Sequence, residues 1–429
     1  MAIDEFPDQA FLETFNTESI TTAVNQLLAT QDDSPWRFKK DLLKDRHDDA
    51  RRQAGSEWLA ENHAQRDVSQ VVNDASGDAH IDAAKMASVL LTAEDLGNGW
   101  ELALLPDGRA VINPHDESMT ILTRPSLEGA RGGLALDGTP TIELWRLLLG
   151  DSLQHEAIHT DEEKAEFLQR KLGLRIVRTS EDPKPYSSGM HVSPPKDLAL
   201  IEGVGLAEQE LPSLISSKKA IGLYEPSGLD ELVDDRTHYG ATKGVNTFAE
   251  KRVGIVVGSP HFGDPELVKW CALAGESVER AEEQYGRDID YGDYGNKLLH
   301  WMRDQMVIQA VMRFGRDGGG ATVYVHTSAL PEWVPCEVVV PRIHTWVGPK
   351  DGMKKVIAAI GELDCAEWRS SEIVERVPLS AQQVRTHLNR LEEFGFLNSR
   401  RGSGRGKPFI WSDNGIRSVG KCGHVDFGV

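Results

Sequence analysis

The spacing of apolar and polar residues changes twice along this 429-residue chain. From Trp100 onward, short apolar runs alternate with helix-like segments, which predicts an α/β layer fold with a mostly parallel sheet. From Met353 to Trp411, three helical segments precede a β-hairpin. Between Ala10 and about Glu94 apolar residues instead recur at helical spacing in a charged background, most clearly at Phe11, Phe15, Ile20, Val24, Leu27 and Leu28.

These changes predict four regions. Residues 1–150 form a partial first α/β domain with a helical insertion at about 10–95, and residues 151–349 form a second α/β domain. Residues 350–413 form a helical domain with a hairpin, and residues 414–429 form a tail. Because open α/β sheets bind ligands beyond the carboxyl ends of their strands, we expect function at the glycine-rich strand ends.

The stretch from Gln309 to Thr327 carries a pattern of arginines and glycines. A helix-like run is predicted to end in Arg313 and Arg316. Glycines at 318–320 break the helix, and an alternating strand follows at Ala321–His326. Residues three apart on a helix share one face, so both guanidinium groups can converge on one anion, as arginine fingers do on a phosphoryl group. The alternative is a surface helix with solvated arginines.

Polar residues are predicted at two further strand ends. Asp4 and Glu5 follow a very short apolar run, and adjacent carboxylates at a strand end are the Walker B arrangement. In that arrangement one carboxylate holds Mg²⁺ through water and the other orients the attacking water. The alternative is an ordinary dipeptide near a flexible terminus. A second short strand ends in four residues that can couple a nucleotide site to a moving neighbour, namely Asp137, Gly138, Thr139 and Thr141. Its alternative is a plain strand–turn–helix junction capped by Thr141.

The region from Met353 to Trp411 predicts a winged helix, in which the third helix reads the major groove and a basic hairpin contacts phosphates or the minor groove. The third helix opens with a capping box formed by Ser380 and Gln383. The region holds 10 basic and 7 acidic residues, so it is mildly basic within a very acidic protein. DNA is the predicted partner, and a protein-binding winged helix is the alternative. The predicted DNA-binding residues are Gln382, Gln383, Arg385, Thr386, Asn389, Arg400, Arg401, Arg405 and Lys407.

Composition bears on the partners and the compartment. The chain has 67 acidic and 47 basic residues and a formal net charge of -20, a balance that repels nucleic acid and anionic membranes but also suits a halophile. In molar salt the Debye length is about 3 Å, so net charge then says little about DNA affinity. The four cysteines lack the spacing of a zinc site and fit a reducing compartment. With no signal-like N-terminus and no run of membrane-helix length, we expect a cytoplasmic protein without membrane contact.

Taken in order, these motifs resemble those of superfamily 2 helicase-type ATPases of a kind found in haloarchaeal plasmid and virus genomes. Asp4-Glu5-Phe6-Pro7 resembles motif II. Leu136-Asp137-Gly138-Thr139-Pro140-Thr141 resembles motif III, with Asp-Gly-Thr in place of Ser-Ala-Thr. Ser213–Ala220 resembles the motif IV strand, and Gly244-Val245-Asn246 with the strand to Gly258 resembles motif V. Gln309-x-x-x-Arg313-x-x-Arg316 resembles motif VI.

The resemblance covers most of residues 1 to 330 except the helical insertion. It implies RecA-like P-loop NTPase layers followed by the winged helix, with ATP and Mg²⁺ as cofactors and DNA as partner. The catalytic residues that it implies are Asp4, Glu5, Gln309, Arg313 and Arg316, with Asp4 holding Mg²⁺ through water. The residues that it assigns to contact with DNA or nucleotide are Lys243, Gly244 and Asn246.

One departure from this family is serious. No Gly-x-x-x-x-Gly-Lys-Ser/Thr occurs in the sequence, although that phosphate loop should precede motif II. We expect the reading frame to be truncated or a degenerate remnant, with weak or no ATP hydrolysis unless a P-loop-bearing partner chain completes the site. The first functional hypothesis is a helicase or translocase subunit or fragment that acts in plasmid or viral DNA replication. The second is a non-catalytic winged-helix DNA-binding protein with a replication or regulatory role, and a partner-binding subunit is a third.

Overall fold

A computed structural model of the chain describes most of its residues and divides them into two compact units. Unit 1 comprises Met1–Ala157, Phe262–Tyr285 and Ile289–Trp301, and unit 2 comprises Ile158–His261, Gly286–Asp288 and Met302–Val429. The described residues are 2–4, 11–29, 35–45, 48–65, 72–73, 80–81, 83–126, 134–136, 141–241, 246–261, 263–281, 290–345, 352–363, 365–401, 408–416, 420 and 422–428. Across these ranges the longest helices are too short or too polar to cross a bilayer.

Unit 1 begins with a parallel pair of strands that are far apart in sequence. Strand β1 (Ala2–Asp4) pairs with β9 (Leu134–Leu136), and Asp4 lies opposite Leu136. The two strands therefore end side by side at the same edge. This is the arrangement expected if the residues after each strand act together, as at the carboxyl ends of a parallel sheet.

The chain between β1 and β9 forms four helices and an antiparallel sheet. The helices are α1 (Thr17–Ala29), α2 (Lys39–Asp45), α3 (Asp49–Gln65) and α4 (Ala83–Thr92). The five-stranded sheet has the order β2-β8-β7-β6-β5, with β2 (Leu12–Phe15), β5 (Glu94–Asp95), β6 (Glu101–Leu105), β7 (Gly108–Ile112) and β8 (Met119–Thr123). Strands β3 (Val72–Asn73) and β4 (His80–Ile81) form a separate short pair.

The expectation of a helical insertion at about 10–95 is therefore incomplete. The inserted region contains the helices, but it continues to Thr123 as an antiparallel sheet. One core joins both parts, because Val24 of α1 and Met86 of α4 pack in the same buried cluster as Ala103 and Ile121 of the strands. Because the helices and the strands share one core, they form a helix layer packed on a sheet and not a separate helical bundle.

The rest of unit 1 is helical. It consists of α5 (Ile142–Leu149), α9 (Asp264–Ala274) and α10 (Gly292–His300). The carboxyl end of α9 is capped by Arg109 of β7, whose Nη1 donates to the carbonyl oxygens of Leu273 and Ala274 at 3.1 and 3.0 Å. A cation at this position also interacts favourably with the helix dipole.

Unit 2 is built on a six-stranded parallel sheet in the order β12-β11-β13-β14-β10-β15. The strands are β10 (Leu174–Arg178), β11 (Ser213–Ser216), β12 (Arg236–His238), β13 (Val253–Val257), β14 (Ala321–His326) and β15 (Glu337–Val338). All five residues of β13 are buried, as expected for a β-branched strand that is covered on both faces. The prediction of an α/β fold with a mostly parallel sheet is confirmed for this unit, as are the strands predicted near residue 213, before Gly258 and at Ala321–His326.

Four helices accompany this sheet: α6 (Asp161–Glu166), α7 (Pro194–Glu208), α8 (Lys218–Tyr224) and α11 (Met306–Val311). Helix α7 is continuous although it contains Gly203 and Gly205. Its internal glycines allow close packing, since a Cβ at Gly203 would lie 2.6 Å from the side chain of Val425. That contact offsets the low helix propensity of glycine.

The C-terminal part of unit 2 follows the element order helix–strand–helix–helix–strand–strand. These elements are α12 (Gly352–Gly361), β17 (Glu367–Arg369), α13 (Ser370–Val374), α14 (Ala381–Glu393), β18 (Leu397–Arg401) and β19 (Phe409–Asp413). The three strands form an antiparallel sheet in the order β17-β19-β18. Val384, Leu388 and Leu391 of α14 are buried in a core that also contains Trp368 and Trp411. The three predicted helices and the hairpin are present, and β17 adds a third strand.

The tail beyond residue 414 returns to the α/β part of unit 2. Strand β20 (Gly423–Asp426) pairs antiparallel with β16 (Arg342–Thr345), and the two strands flank the C-terminal elements in sequence. The Cys422 backbone N–H donates to Oε2 of Glu202 on α7 at 2.6 Å. The tail thus fixes both ends of the C-terminal region against the same helix.

Candidate functional site

The predicted arginine pair lies in a turn rather than on a helix. Helix α11 ends at Val311, and the chain then turns through Arg313 and Arg316 to reach β14. Arg313 is buried, whereas Arg316 is exposed and its Nε donates to the Met312 carbonyl oxygen at 2.7 Å. The expectation that both arginines share one helical face is therefore wrong. Gly315 adopts a φ of +63°, which an α-helix does not allow, and this ends the helical geometry.

Phe314 fixes this turn to the sheet. Its side chain is fully buried, and its ring meets the ring of Phe248 edge to face at 5.5 Å between centroids. On the strand below, a Cβ at Gly254 would lie only 2.8 Å from the Phe314 ring, so glycine is needed there for the ring to approach β13. The turn is therefore positioned by long-range packing that a local sequence pattern does not report.

The same packing brings the motif V-like and motif VI-like segments together. Phe248 follows Asn246 by two residues, and α11 packs beside the helical turn at Tyr239–Ala241. Asn246 is exposed, and Gln309 of α11 is half-buried. Lys243 and Gly244 belong to residues 242–245, which lie outside the described residues. The structure thus brings the segment Asn246–Phe248 beside the turn that contains Arg313, and we call this part of unit 2 the corner.

The guanidinium group of Arg313 has capacity for a further contact. Only 8% of the residue is exposed, and its Nε finds no hydrogen-bond partner within the described ranges. A buried cationic donor without an acceptor costs free energy on the order of 1–3 kcal/mol or more. An anionic ligand beside this corner would relieve that cost.

A bidentate ion pair holds the glycine-rich part of the turn. Both oxygens of Asp317 accept from the guanidinium group of Arg252, with Nη1 to Oδ1 at 2.9 Å. The Arg252 guanidinium beside Asp317 holds the pKa of that carboxyl well below its usual range, and the Gly319 N–H adds a hydrogen bond. Arg252 precedes β13 and Asp317 precedes β14, so the corner lies at the amino-terminal edge of the parallel sheet.

The opposite edge of the sheet is covered by its own loop. Ser259 Oγ and Thr327 Oγ1, after β13 and β14, both donate to the Pro183 carbonyl oxygen at 2.6 Å. The Ser328 N–H donates to the carbonyl of Asp182, and the Ser259 N–H to that of Lys184, each at 2.8 Å. These bonds tie residues 182–184 over three central strands. The carboxyl ends of β10, β13 and β14 are therefore covered by residues 182–184, which does not favour the prediction that a ligand binds there.

The motif II-like and motif III-like residues are mostly outside the described part of the chain. Asp4 is the last residue of β1, and its backbone lies beside Leu136. Glu5, Asp137, Gly138 and Thr139 lie outside the described residues. Thr141 occupies the N-cap position of α5, but its side chain makes no capping hydrogen bond, so this alternative role for Thr141 is not supported.

The predicted recognition helix presents its polar residues outward. All five predicted residues on α14 are exposed, namely Gln382, Gln383, Arg385, Thr386 and Asn389. The capping box is present, because the Ser380 N–H donates to Gln383 Oε1 at 3.0 Å and the Gln383 N–H donates to Ser380 Oγ at 3.3 Å. Thr386 Oγ1 donates to the Gln382 carbonyl at 2.9 Å. Arg385 and Asn389 are therefore better placed for an intermolecular contact than Gln383.

Two arginines from different elements flank one aromatic ring on this face. The Cζ atoms of Arg385 on α14 and Arg401 on β18 each lie 5.6 Å from the ring centroid of Phe409 on β19. Arg401 and Phe409 are also direct cross-strand partners. Cation–π contacts of this kind hold guanidinium groups in place without neutralising their charge. The helix and the hairpin thus present a shared cationic face.

Arg400 differs from its neighbour. Its Nη2 lies 2.7 Å from Oε2 of Glu367, so its charge is locally neutralised. Arg405 and Lys407 lie in residues 402–407, outside the described residues. Sequence reasoning missed Phe409 and Glu367, although the alternation within the hairpin places Phe409 opposite Arg401 and could have revealed it.

Within the described ranges no three His, Cys, Asp or Glu side chains come together as a metal site would require. The chain was also compared with known proteins. It matches no protein-family model. It likewise has no match among curated proteins.

Proposed function

We propose that this chain binds duplex DNA through α14 and the β18–β19 hairpin. The observation that carries this proposal is the pair Arg385 and Arg401, which are exposed, held by Phe409 and contributed by two adjacent elements. Within the described part of the chain the two guanidinium groups form no ion pair, and fixed cations of this kind suit neighbouring phosphates, which supply most of the affinity in protein–DNA complexes. The order of helices and strands supports a winged helix, with α14 as the recognition helix and the hairpin as the wing.

The arginine substitutions test this proposal. We expect Arg385→Gln and Arg401→Gln each to weaken duplex binding about tenfold at moderate salt, because each removes one phosphate contact. Arg400→Gln should have a smaller effect, since Glu367 already neutralises that charge. Fluorescence anisotropy with a labelled duplex measures these affinities.

Arg170→Gln provides the matched control. Arg170 is exposed, is paired with Glu166 at 2.7 Å and lies outside the C-terminal region, so its replacement changes the net charge equally. If Arg170→Gln weakened binding as much as Arg385→Gln, the effect would come from overall charge, and the proposed interface would be wrong.

We further propose that the α/β part belongs to a helicase or translocase of plasmid or viral DNA replication, or to a fragment of one. Two observations favour this second function. One is the parallel pairing of β1 with β9 up to Asp4 and Leu136. The other is the corner where the segment Asn246–Phe248 meets the turn that contains Arg313, whose Nε has no hydrogen-bond partner in the described part of the chain. In this role Arg313 would contact an anionic ligand such as a nucleotide phosphate, and Asp4 with Glu5 would serve Mg²⁺ and water. A non-catalytic DNA-binding replication or regulatory protein is the alternative.

ATP hydrolysis separates these two functions. The sequence lacks the Gly-x-x-x-x-Gly-Lys-Ser/Thr motif, so ATP phosphates have no such backbone cradle in this chain. We expect the purified chain to hydrolyse ATP weakly or not at all, with and without DNA, in a phosphate-release assay with Mg²⁺. A P-loop-bearing partner chain would be needed for full activity. Strong hydrolysis that is lost in Glu5→Gln would contradict this expectation.

A further inference from the structure

A second exposed aromatic ring flanked by cations lies in unit 1, at the start of α2. The Phe38 side chain is 38% exposed. Arg37 Cζ lies 5.4 Å and Lys40 Nζ lies 5.5 Å from its ring centroid. An aromatic ring that is open to solvent and bordered by positive charge combines the two features used to bind unpaired nucleotides.

The ring is held outward by buried neighbours on both sides. Trp36 is 2% exposed, and its ring lies so close to α3 that a Cβ at Gly55 would meet it at 1.7 Å. Lys39 is 6% exposed, and its backbone N–H donates to Asn25 Oδ1 at 2.7 Å. Because residues 36 and 39 are anchored, the exposed position of Phe38 is built into the structure rather than a result of a frayed end.

The charge around Phe38 is opposite to that of the whole protein. The run from Arg37 to Lys44 contains four cations and one carboxylate, whereas the chain as a whole has a net charge of -20. One of the four, Lys39, is buried and lies 3.9 Å from Oε2 of Glu117, so three exposed cations remain. Arg37, Lys40 and Lys44 are all exposed, and none of them forms an ion pair in the part of the chain that the structure describes. By contrast, Arg52 on the next helix is paired with Asp49 at 3.2 Å. The free cations therefore concentrate beside the ring.

We propose that Arg37, Phe38, Lys40 and Lys44 form a contact site for single-stranded DNA. The cations bind successive phosphates, and the Phe38 ring stacks on an unpaired base. A duplex would use the charges but not the ring, because its bases are already stacked on one another. This site is independent of the arginine face on α14, so it can be correct even if the proposed duplex binding is not.

The test uses the full-length chain with Arg385→Gln and Arg401→Gln already introduced, so that the other cationic face does not contribute. Binding of a short labelled oligothymidylate is followed by fluorescence anisotropy over a series of salt concentrations. Phe38→Leu should weaken binding about tenfold, since it removes base stacking, and Phe38→Trp should retain it. Lys40→Gln should lower the slope of log affinity against log salt by about 0.7, because one phosphate contact is lost.

Phe167→Leu is the matched control, because Phe167 is 48% exposed but follows an acidic helix. It should leave binding unchanged. The proposal is overturned if Phe38→Leu and Lys40→Gln both bind like their parent, or if Phe167→Leu weakens binding as much as Phe38→Leu. Binding to anionic lipid vesicles that depends on Phe38, without binding to oligothymidylate, would also overturn it. Should Phe38→Leu fail to fold, Lys40→Gln still decides the question.

Discussion

Replacement of Asp197 by alanine is expected to destabilise unit 2 by roughly 3–5 kcal/mol, because it leaves several buried donors without an acceptor. Asp197 on α7 is 1% exposed. Its carboxylate accepts hydrogen bonds from the hydroxyls of Tyr186 and Tyr224 at 3.0 and 2.9 Å, and from the Ser193 N–H at 3.1 Å. Burial raises the pKa of Asp197, and these three donors offset part of that rise. Chemical denaturation followed by circular dichroism measures the change.

Tyr224→Phe is the control for the Asp197 network. It removes one hydroxyl and leaves the carboxylate with two other donors, so we expect a loss of about 1 kcal/mol. If Asp197→Ala and Tyr224→Phe lowered the free energy of unfolding by the same amount, the carboxylate would not be the centre of the network. Since α7 also holds the tail through Glu202 and Gly203, loss of this network should loosen the C-terminal region as well.

His326 is expected to make the stability of unit 2 fall steeply in mild acid. It is buried at the carboxyl end of β14, with its Nδ1 3.0 Å from Thr179 Oγ1. Burial, with a further contribution from the positive charge of Lys184, lowers the pKa of His326 from 6.5 to about 3. Between these values the unfolded chain binds a proton that the folded chain does not. The free energy of unfolding is therefore unaffected by the titration of His326 above about pH 6.5. It falls by about 1.4 kcal/mol per pH unit as the pH drops from 6.5 towards 3.

The substitution His326→Asn isolates this contribution. Asparagine does not titrate, so the free energy of unfolding should change less with pH between about 6.5 and 4.5 than it does in the wild type. Burial also lowers the pKa values of His387 and His424, so both histidines change the free energy of unfolding with pH in the same direction. Both are present in the wild type and in His326→Asn. The exposed His191 replaced by asparagine serves as the control and should keep the wild-type pH dependence. An unchanged slope in His326→Asn would contradict the assignment.

Local patterns in the sequence predicted the regular elements well. Strand β14 begins and ends at the predicted residues, because three glycines precede an alternating β-branched and aromatic run. The capping box of Ser380 and Gln383 is likewise present, since its geometry depends only on residues three apart. The exposed side chains on α14 also follow from helical spacing alone.

Contacts between distant residues account for what the sequence did not predict. The arginine turn depends on the packing of Phe314 against Phe248 and Gly254, and no helical pattern within residues 309–316 reports that contact. In unit 1, the apolar runs between Trp100 and Leu122 predict short strands around a turn at Pro106-Asp107-Gly108, and β6, β7 and β8 confirm them. The sequence did not predict that β2 pairs with β8, because more than a hundred residues separate the two strands. The sequence also did not predict the cationic face on α14, because it does not show that β19 brings Phe409 beside Arg385.

The salt dependence of duplex binding tests the central claim most directly. For the wild-type chain, the logarithm of the affinity should fall linearly with the logarithm of the salt concentration. For the double variant Arg385→Gln/Arg401→Gln, that slope should be smaller by about 2, because two phosphate contacts are lost and each contributes about 0.9. A double variant with the affinity and slope of the wild type would show that α14 and the β18–β19 hairpin do not bind DNA.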